Sequence, residues 1–246
     1  MGGRHPSRAG SLLPLVLSLL SACGGGIGSS SPPAPPPPTV VERSFDFAQG
    51  NGGWLSGQAD YTPQTAPTGV VFEVRPLPAG FSGSGFYVAG RNLSDDLFLY
   101  VKTKISGLAA STTYGVSVRV EFLSAAASGC LGVGGAPGES VWVVFAASAV
   151  EPLTVFNGTD YRVNLQRGNQ SVGGPEGIVL GDIANGSTDC GNPPWRPKSL
   201  SSPEPATITV RADERGEAWV LVGIDSGYES FSSVYHQRMA FRFTPR

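Results

Sequence analysis

The chain is poor in histidine, cysteine and methionine, and it has no strong excess of charge of either sign. Its 246 residues hold 2 His, 3 Cys and 2 Met, and 17 Lys and Arg stand against 19 Asp and Glu, a formal net charge of −2. So balanced a chain shows no electrostatic footprint for nucleic acid. Of the two histidines, His5 and His236, only the second lies in the body of the chain. A Ser-His-Asp hydrolase would have to use His236, and no Gly-x-Ser-x-Gly elbow in a strand–turn–helix setting accompanies it. Clustered histidines and cysteines of the kind that bind zinc are missing, as is EF-hand spacing. No window shows sustained helical periodicity, which argues against a helical domain.

What the sequence does have begins at its N-terminus. Arg4, His5 and Arg8 form a basic region, Ser11 to Leu20 an apolar run interrupted by Pro14, and Leu20-Ser21-Ala22-Cys23 closes it. The run is too short to span a bilayer as a permanent helix. The closing tetrapeptide resembles the lipobox of bacterial lipoproteins. That resemblance implies that residues 1–22 are a removed signal peptide, that Cys23 carries a diacylglycerol on its sulfur, and that the new amino terminus is acylated. Several chains, at roughly 0.8 kcal/mol per buried CH2, give a stable membrane anchor where one chain would not. The implied location is the bacterial cell envelope. Gly24, rather than Asp, after the cysteine implies outer-membrane sorting in Gram-negative relatives. An ordinary secretory signal with a coincidental cysteine is the alternative reading.

Residues 23–38 follow as the lipidated cysteine and a tether, GGGIGSSSPPAPPPP after Cys23. The Gly/Ser half is flexible, and the proline half favours extended polyproline II at about 3.1 Å per residue. Once Cys23 is lipidated, Cys130 and Cys190 remain, an even pair in an exported chain, which predicts a disulfide between two Gly-rich loops. Two free thiols or half of a metal site are the alternatives.

Residues 39–246 form one domain. Tyr114, Val116, Val118, Val120 and Phe122 alternate with Ser117, Arg119 and Glu121 as a half-buried strand does. Further strands are expected through residues 70–74, 97–101, 141–145, 208–210, 220–224 and 239–243, separated by Gly, Pro, Asn and Ser. The expected fold class is all-β, an antiparallel β-sandwich with long Gly/Asn-rich loops. Phe45-Asp46-Phe47 followed by Gly53-Trp54, Gly107-Leu108 ahead of Thr113-Tyr114, and the closing Phe241-Arg242-Phe243 together resemble the jelly-roll modules among bacterial carbohydrate-binding domains. The resemblance implies that the first and last strands are neighbours and that Tyr114 packs into the core. The stretches from Gly134 to Ser140 and from Val179 to Ser187 are similar to those of uncharacterised bacterial lipoproteins and imply no chemistry. Arg, His and Tyr motifs on successive strands, expected of alginate-lyase jelly rolls, are absent.

Three groups of residues are candidates for function. Residues 156–200 form a loop-rich excursion, and a Cys130–Cys190 bridge is expected to hold Trp195 and Arg196 near Glu139, with Asn169 and Gln170 as further polar groups. A flat aromatic face with amide and carboxylate groups around it is what a sugar needs, so these five residues are the expected ligand-binding set. Packing of Trp195 onto the sandwich is the alternative. Asp95 and Asp96, with Asp225 and Glu229, are oxygen-rich loop positions that could hold a structural Ca2+; no other cofactor is expected. Against this, Asn92 and Ser94 also suit a turn cap. Paired carboxylates are numerous enough for glycoside hydrolysis, but the sequence singles out no pair, and no catalytic residue is assigned. The leading expectation is a lipid-anchored glycan-binding or adhesion module, with the membrane and a polysaccharide as partners. A structural component binding another envelope protein and a glycan-cleaving enzyme are the rivals.

Overall fold

The computed structural model describes residues 37–246 together with Gly2; the expected signal peptide, Cys23 and the expected tether as far as residue 36 lie outside the described residues. Residues 37–246 are a compact unit by themselves. Sixteen strands run through it. The first seven are β1 (Val41–Asp46), β2 (Leu55–Ala59), β3 (Thr68–Pro76), β4 (Ser84–Arg91), β5 (Leu97–Ile105), β6 (Thr113–Ser124) and β7 (Val141–Ser148). Short strands follow: β8 (Thr154–Phe156), β9 (Tyr161–Val163), β10 (Gly168–Asn169), β11 (Val172–Gly173) and β12 (Gly177–Asp182). The last four are β13 (Arg196–Ser201), β14 (Ile208–Arg211), β15 (Ala218–Ser226) and β16 (Phe231–Pro245). All seven segments read as strands from alternation fall within strands.

The fold is an antiparallel β-sandwich. A seven-stranded sheet runs β13-β6-β16-β4-β3, with β1 added to β16 and β14 to β6; a five-stranded sheet runs β12-β7-β15-β5-β2. First and last strands are neighbours, Val41 opposite Phe243 and Asp46 opposite Arg238. Strand β16 serves two partners on one edge, β4 along its first half and β1 along its second, and a bulge between His236 and Arg238 separates them.

Alternation builds the core. Val116, Val118, Val120 and Phe122 of β6 face Val143, Phe145, Val220, Val222 and Ile224 of the other sheet's inner face, all buried. Burying a side chain of this kind contributes about 1.5–3 kcal/mol. Tyr114 is fully buried, and its phenolic oxygen accepts a hydrogen bond from the Ala109 amide at 2.9 Å, which ties the Gly107-Leu108 turn to β6. Trp54 closes the core against Phe45 and Phe47, with ring centroids 5.2 and 5.7 Å away.

Residues 156–200 are not a structureless excursion. Hairpins β8–β9 and β10–β11 lie over the outer face of the five-stranded sheet, where Val163 and Leu165 cover Phe98, Tyr100, Val144 and Leu221. The two-residue strands β10 and β11 are too short to show alternation, so the sequence does not reveal them. Among the described residues, no helix is long and apolar enough to cross a membrane.

Candidate functional site

The outer face of the seven-stranded sheet divides into a polar half and an aromatic half. Period-two alternation turns Arg119 and Glu121 of β6 away from the core, and the same rule turns out Glu42, Ser44 and Asp46 of β1, with Arg238, Ala240 and Arg242 of β16. Strand register sets these residues in rows. One row runs Glu42, Arg242, Ser117; the next runs Ser44, Ala240, Arg119, Ser201; a third runs Asp46, Arg238, Glu121, Ser199. Arg242 Nη1 donates to Glu42 Oε1 at 2.6 Å, Arg119 Nε to Glu121 Oε1 at 2.8 Å, and Arg238 Nη2 to Asp46 Oδ2 at 3.3 Å.

Ala240 is the smallest side chain of its row and leaves a hollow between the longer ones. The result is an open groove of about 520 Å3, lined by Glu42, Ser44, Ser117, Arg119, Ser201 and Arg242 among others, with Glu204 at its edge. Ser202 Oγ accepts from the Val118 amide at 2.9 Å and fixes the wall beyond β13. The alternation of β6 already places Arg119 and Glu121 on its solvent side, and the first and last strands are expected to be neighbours. The sequence does not show that β6 and β13 lie beside that pair, so the groove itself is legible only in the fold.

The aromatic half contains Trp195. Its ring meets Tyr235 edge-on at 5.0 Å and 80°, and Tyr235 packs against Tyr87 at 4.6 Å. Arg75 lies over Tyr87 at 3.4 Å and donates through Nε to the Tyr235 hydroxyl at 3.0 Å. Trp195 is half-buried, held by Asn185 Nδ2, which donates to the carbonyls of Ser124 and Pro194. Arg196 opens β13 and is exposed beside it. Both therefore sit at the rim of the face that carries the groove.

The other predicted ligand-binding residues lie elsewhere. Glu139 accepts from the Gly129 amide at 2.8 Å through Oε1, while its Oε2 is buried without a donor. Cys130 and Cys190 form the expected disulfide, with Cα atoms 5.7 Å apart. The bridge staples the Gly129 loop to the 183–195 loop beside a recess of about 250 Å3 lined by Leu131, Pro193, Tyr228 and Phe231.

Asn169 and Gln170 join the acidic group instead. Asp60, Asp96 and Asp225 gather within 4.8 Å of one another, counted between carboxylate oxygens. Arg167 spans the two innermost: it pairs with Asp60 and donates through Nη1 to Asp225 Oδ2 at 2.6 Å, all three residues at most 3% exposed. The guanidinium also lies 3.6 Å over the Phe98 ring. Arg162 reaches Asp96 at 3.0 Å and Asp60 at 3.3 Å. The Gln170 amide donates to Asp225 Oδ2 at 2.6 Å, its side chain donates to the Asp95 carbonyl at 2.7 Å, and the Asn169 side chain lies near Asp96.

Of the four acidic residues proposed for Ca2+, the structure therefore brings Asp96 and Asp225 together, leaves Asp95 to contribute a carbonyl, and places Glu229 exposed on another turn, where its amide bonds Val133. Burial and the Asp225 charge push the Asp96 carboxyl up to about 6, against the lowering effect of Arg162. Arg167 and Arg162 supply internal cations to this group, whereas Asp96 Oδ1 and Asp225 Oδ1 are buried without a partner. Asp60 and Arg167 stand 107 residues apart, and no sequence signal links them. His236, the one histidine of the domain, is fully buried against Phe122 with both ring nitrogens unpartnered, and burial lowers it to about 3.

No family model matches the chain, and no curated protein does. Solved structures with a similar arrangement of strands include the carbohydrate-binding module TmCBM61 in complex with β-1,4-galactotriose, at 9% identity and a TM-score of 0.35, covering 79% of this chain and 92% of that one. The mannan-recognising module TmCBM27 is similar at 8% identity and a TM-score of 0.38, covering 82% and 97%. The K1 cleaved adhesin domain of Lys-gingipain from Porphyromonas gingivalis W83 is similar at 11% identity and a TM-score of 0.36, covering 82% and 97%. Scores this low attach no ligand to the present chain.

Proposed function

We propose that this chain is a lipid-anchored glycan-binding module of the bacterial envelope, and that it holds a polysaccharide on the outer face of its seven-stranded sheet. The observation that carries this reading is the open groove over Ala240, where guanidinium, carboxylate and hydroxyl groups converge along one sheet face. An extended chain of sugars needs such a surface, with hydrogen-bonding groups spaced along an open trough. A sheet presents them on rigid strands, so little ordering cost is added on binding.

The anchor rests on Leu20-Ser21-Ala22-Cys23 and the tether behind it. Strand β1 starts at Val41 beside Phe243, whereas the disulfide-stapled loops lie near Phe231, at the other end of β16. Fifteen residues of strand span roughly 45 Å, so the groove lies towards the tether end and the stapled loops away from it.

Affinity electrophoresis of residues 37–246 through gels containing a panel of polysaccharides tests the binding. Retardation that disappears when Ala240→Tyr fills the groove is expected; a panel without retardation contradicts the reading. Mass spectrometry of the mature N-terminus tests the anchor, and an unmodified Cys23 would refute it.

A second reading, contact with another envelope protein, draws on the stapled loops. Leu131 is 100% exposed and Val133 69%, with Val172 at 66% on the β10–β11 hairpin. Capture of an envelope protein that Leu131→Ser with Val133→Ser abolishes, with glycan retention absent, favours it.

A further inference from the structure

We propose that the ligand of the groove is an acidic glycan, a uronate-bearing chain whose carboxylates are taken by Arg119 and Arg242. The inference rests on the reading that this face binds glycan, and it names the class. Neutral sugars are held chiefly by stacking on aromatic rings, and the groove offers none. Phe241 is the one aromatic residue among those lining it, and its ring points into the core, 2% exposed against Phe45, Trp54 and Phe145.

Charge is what the groove has instead. In a chain of formal net charge −2, it gathers Arg43, Arg119 and Arg242 against Glu42 and Glu204. Arg43 is turned aside, donating to the carbonyls of Ser106 and Glu42. Arg119 and Arg242 stand on adjacent strands, in adjacent rows on either side of the Ala240 hollow, with more than half of each side chain exposed.

Each is tied to its internal partner by one nitrogen, Nε of Arg119 and Nη1 of Arg242. The remaining N–H groups of the fork are available to a second carboxylate, and planar bidentate pairing is what guanidinium does best. The internal pairs are solvent-exposed and weak, so a ligand carboxylate can share or replace Glu121 and Glu42 at little cost. Ser117 stands beside Arg242 on the neighbouring strand, Ser44 and Ser201 lie at the two ends of the Ala240 row, and all three can donate to or accept from ring hydroxyls.

The test is isothermal titration calorimetry of residues 37–246 with a hexagalacturonate, the same oligomer with its carboxyls methyl-esterified, and a neutral galactan hexamer. The acid form is expected to bind, and the esterified and neutral forms to bind about tenfold or more weakly. Arg119→Gln together with Arg242→Gln, folded by circular dichroism, is expected to lose the preference. Equal binding of all three oligomers, or acid binding unchanged in the double variant, overturns this inference while leaving the groove a glycan site. Binding of none of them, or of any other glycan in the electrophoretic panel, overturns the underlying reading as well.

Discussion

Arg242 Nη1 meets Glu42 Oε1 at 2.6 Å across the pair of strands that begins and ends the domain. The contact joins residues 200 positions apart and forms one wall of the groove, next to the hollow left by Ala240. Because both side chains are more than half exposed, the pair shapes the surface without holding the fold together. Replacing Glu42 by Gln should change stability by less than about 1 kcal/mol in urea unfolding. A loss of several kcal/mol would show that the pair is structural and not available to a ligand.

Arg167 is the opposite case. It is buried between Asp60 and Asp225, and removing it leaves carboxylates without a counter-charge in the interior. Arg167→Ala should cost about 3–5 kcal/mol by chemical denaturation, the range for breaking a buried pair. With Arg167 and Arg162 as the cations of the group, the melting temperature of the wild-type domain should be the same in millimolar Ca2+ as in chelator; a Ca2+-dependent rise of several degrees would show that the unpartnered Asp96 Oδ1 and Asp225 Oδ1 take up the ion.

Acid stability is set by two groups of opposite sign. His236 has a folded-state value of about 3 against an ordinary 6.5, so the unfolded chain binds its proton more readily, and stability falls as pH drops below about 6.5. Asp96 is raised to about 6, so its contribution grows as pH falls below that value. Complete burial makes the histidine the larger effect, about 2 kcal/mol between pH 7 and pH 5. His236→Leu should flatten or reverse the acid limb of a stability–pH curve. An unchanged limb would place the proton uptake elsewhere.

Reducing the Cys130–Cys190 bridge releases a closed segment with a sequence separation of 60 residues. Chain entropy predicts a loss of roughly 4 kcal/mol. Cys130→Ala with Cys190→Ala should lower stability by about that much while preserving the groove, which lies towards the other end of β16. Loss of glycan retention in the double variant would tie the stapled loops to binding.

The sequence revealed the sandwich because its core strands alternate cleanly, as the run from Tyr114 to Phe122 does. Strands such as β13, RPKSLS, and the two-residue β10 and β11 carry no such pattern, since their side chains pack on one edge or scarcely at all. Trp195 was visible as a candidate, but its packing against Tyr235 depends on contacts 40 residues away in the chain. Arg119 was visible as a solvent-facing residue and no more, and Arg242 only as part of the closing strand, because the groove arises from the adjacency of β1, β16, β6 and β13. The triad of Asp60, Asp225 and Arg167 is likewise a product of topology, joining the ends of β2 and β15 to a loop over the sheet.

The measurement that bears most directly on the central claim is NMR of selectively labelled residues 37–246 titrated with glycan. Saturable shifts of the Ala240 methyl and of the Arg119 and Arg242 side-chain N–H signals are predicted, with the buried Ala146 methyl, in the other sheet, unmoved. Shifts confined to Leu131 and Val133 at the stapled loops, or no shift with any glycan, would contradict it.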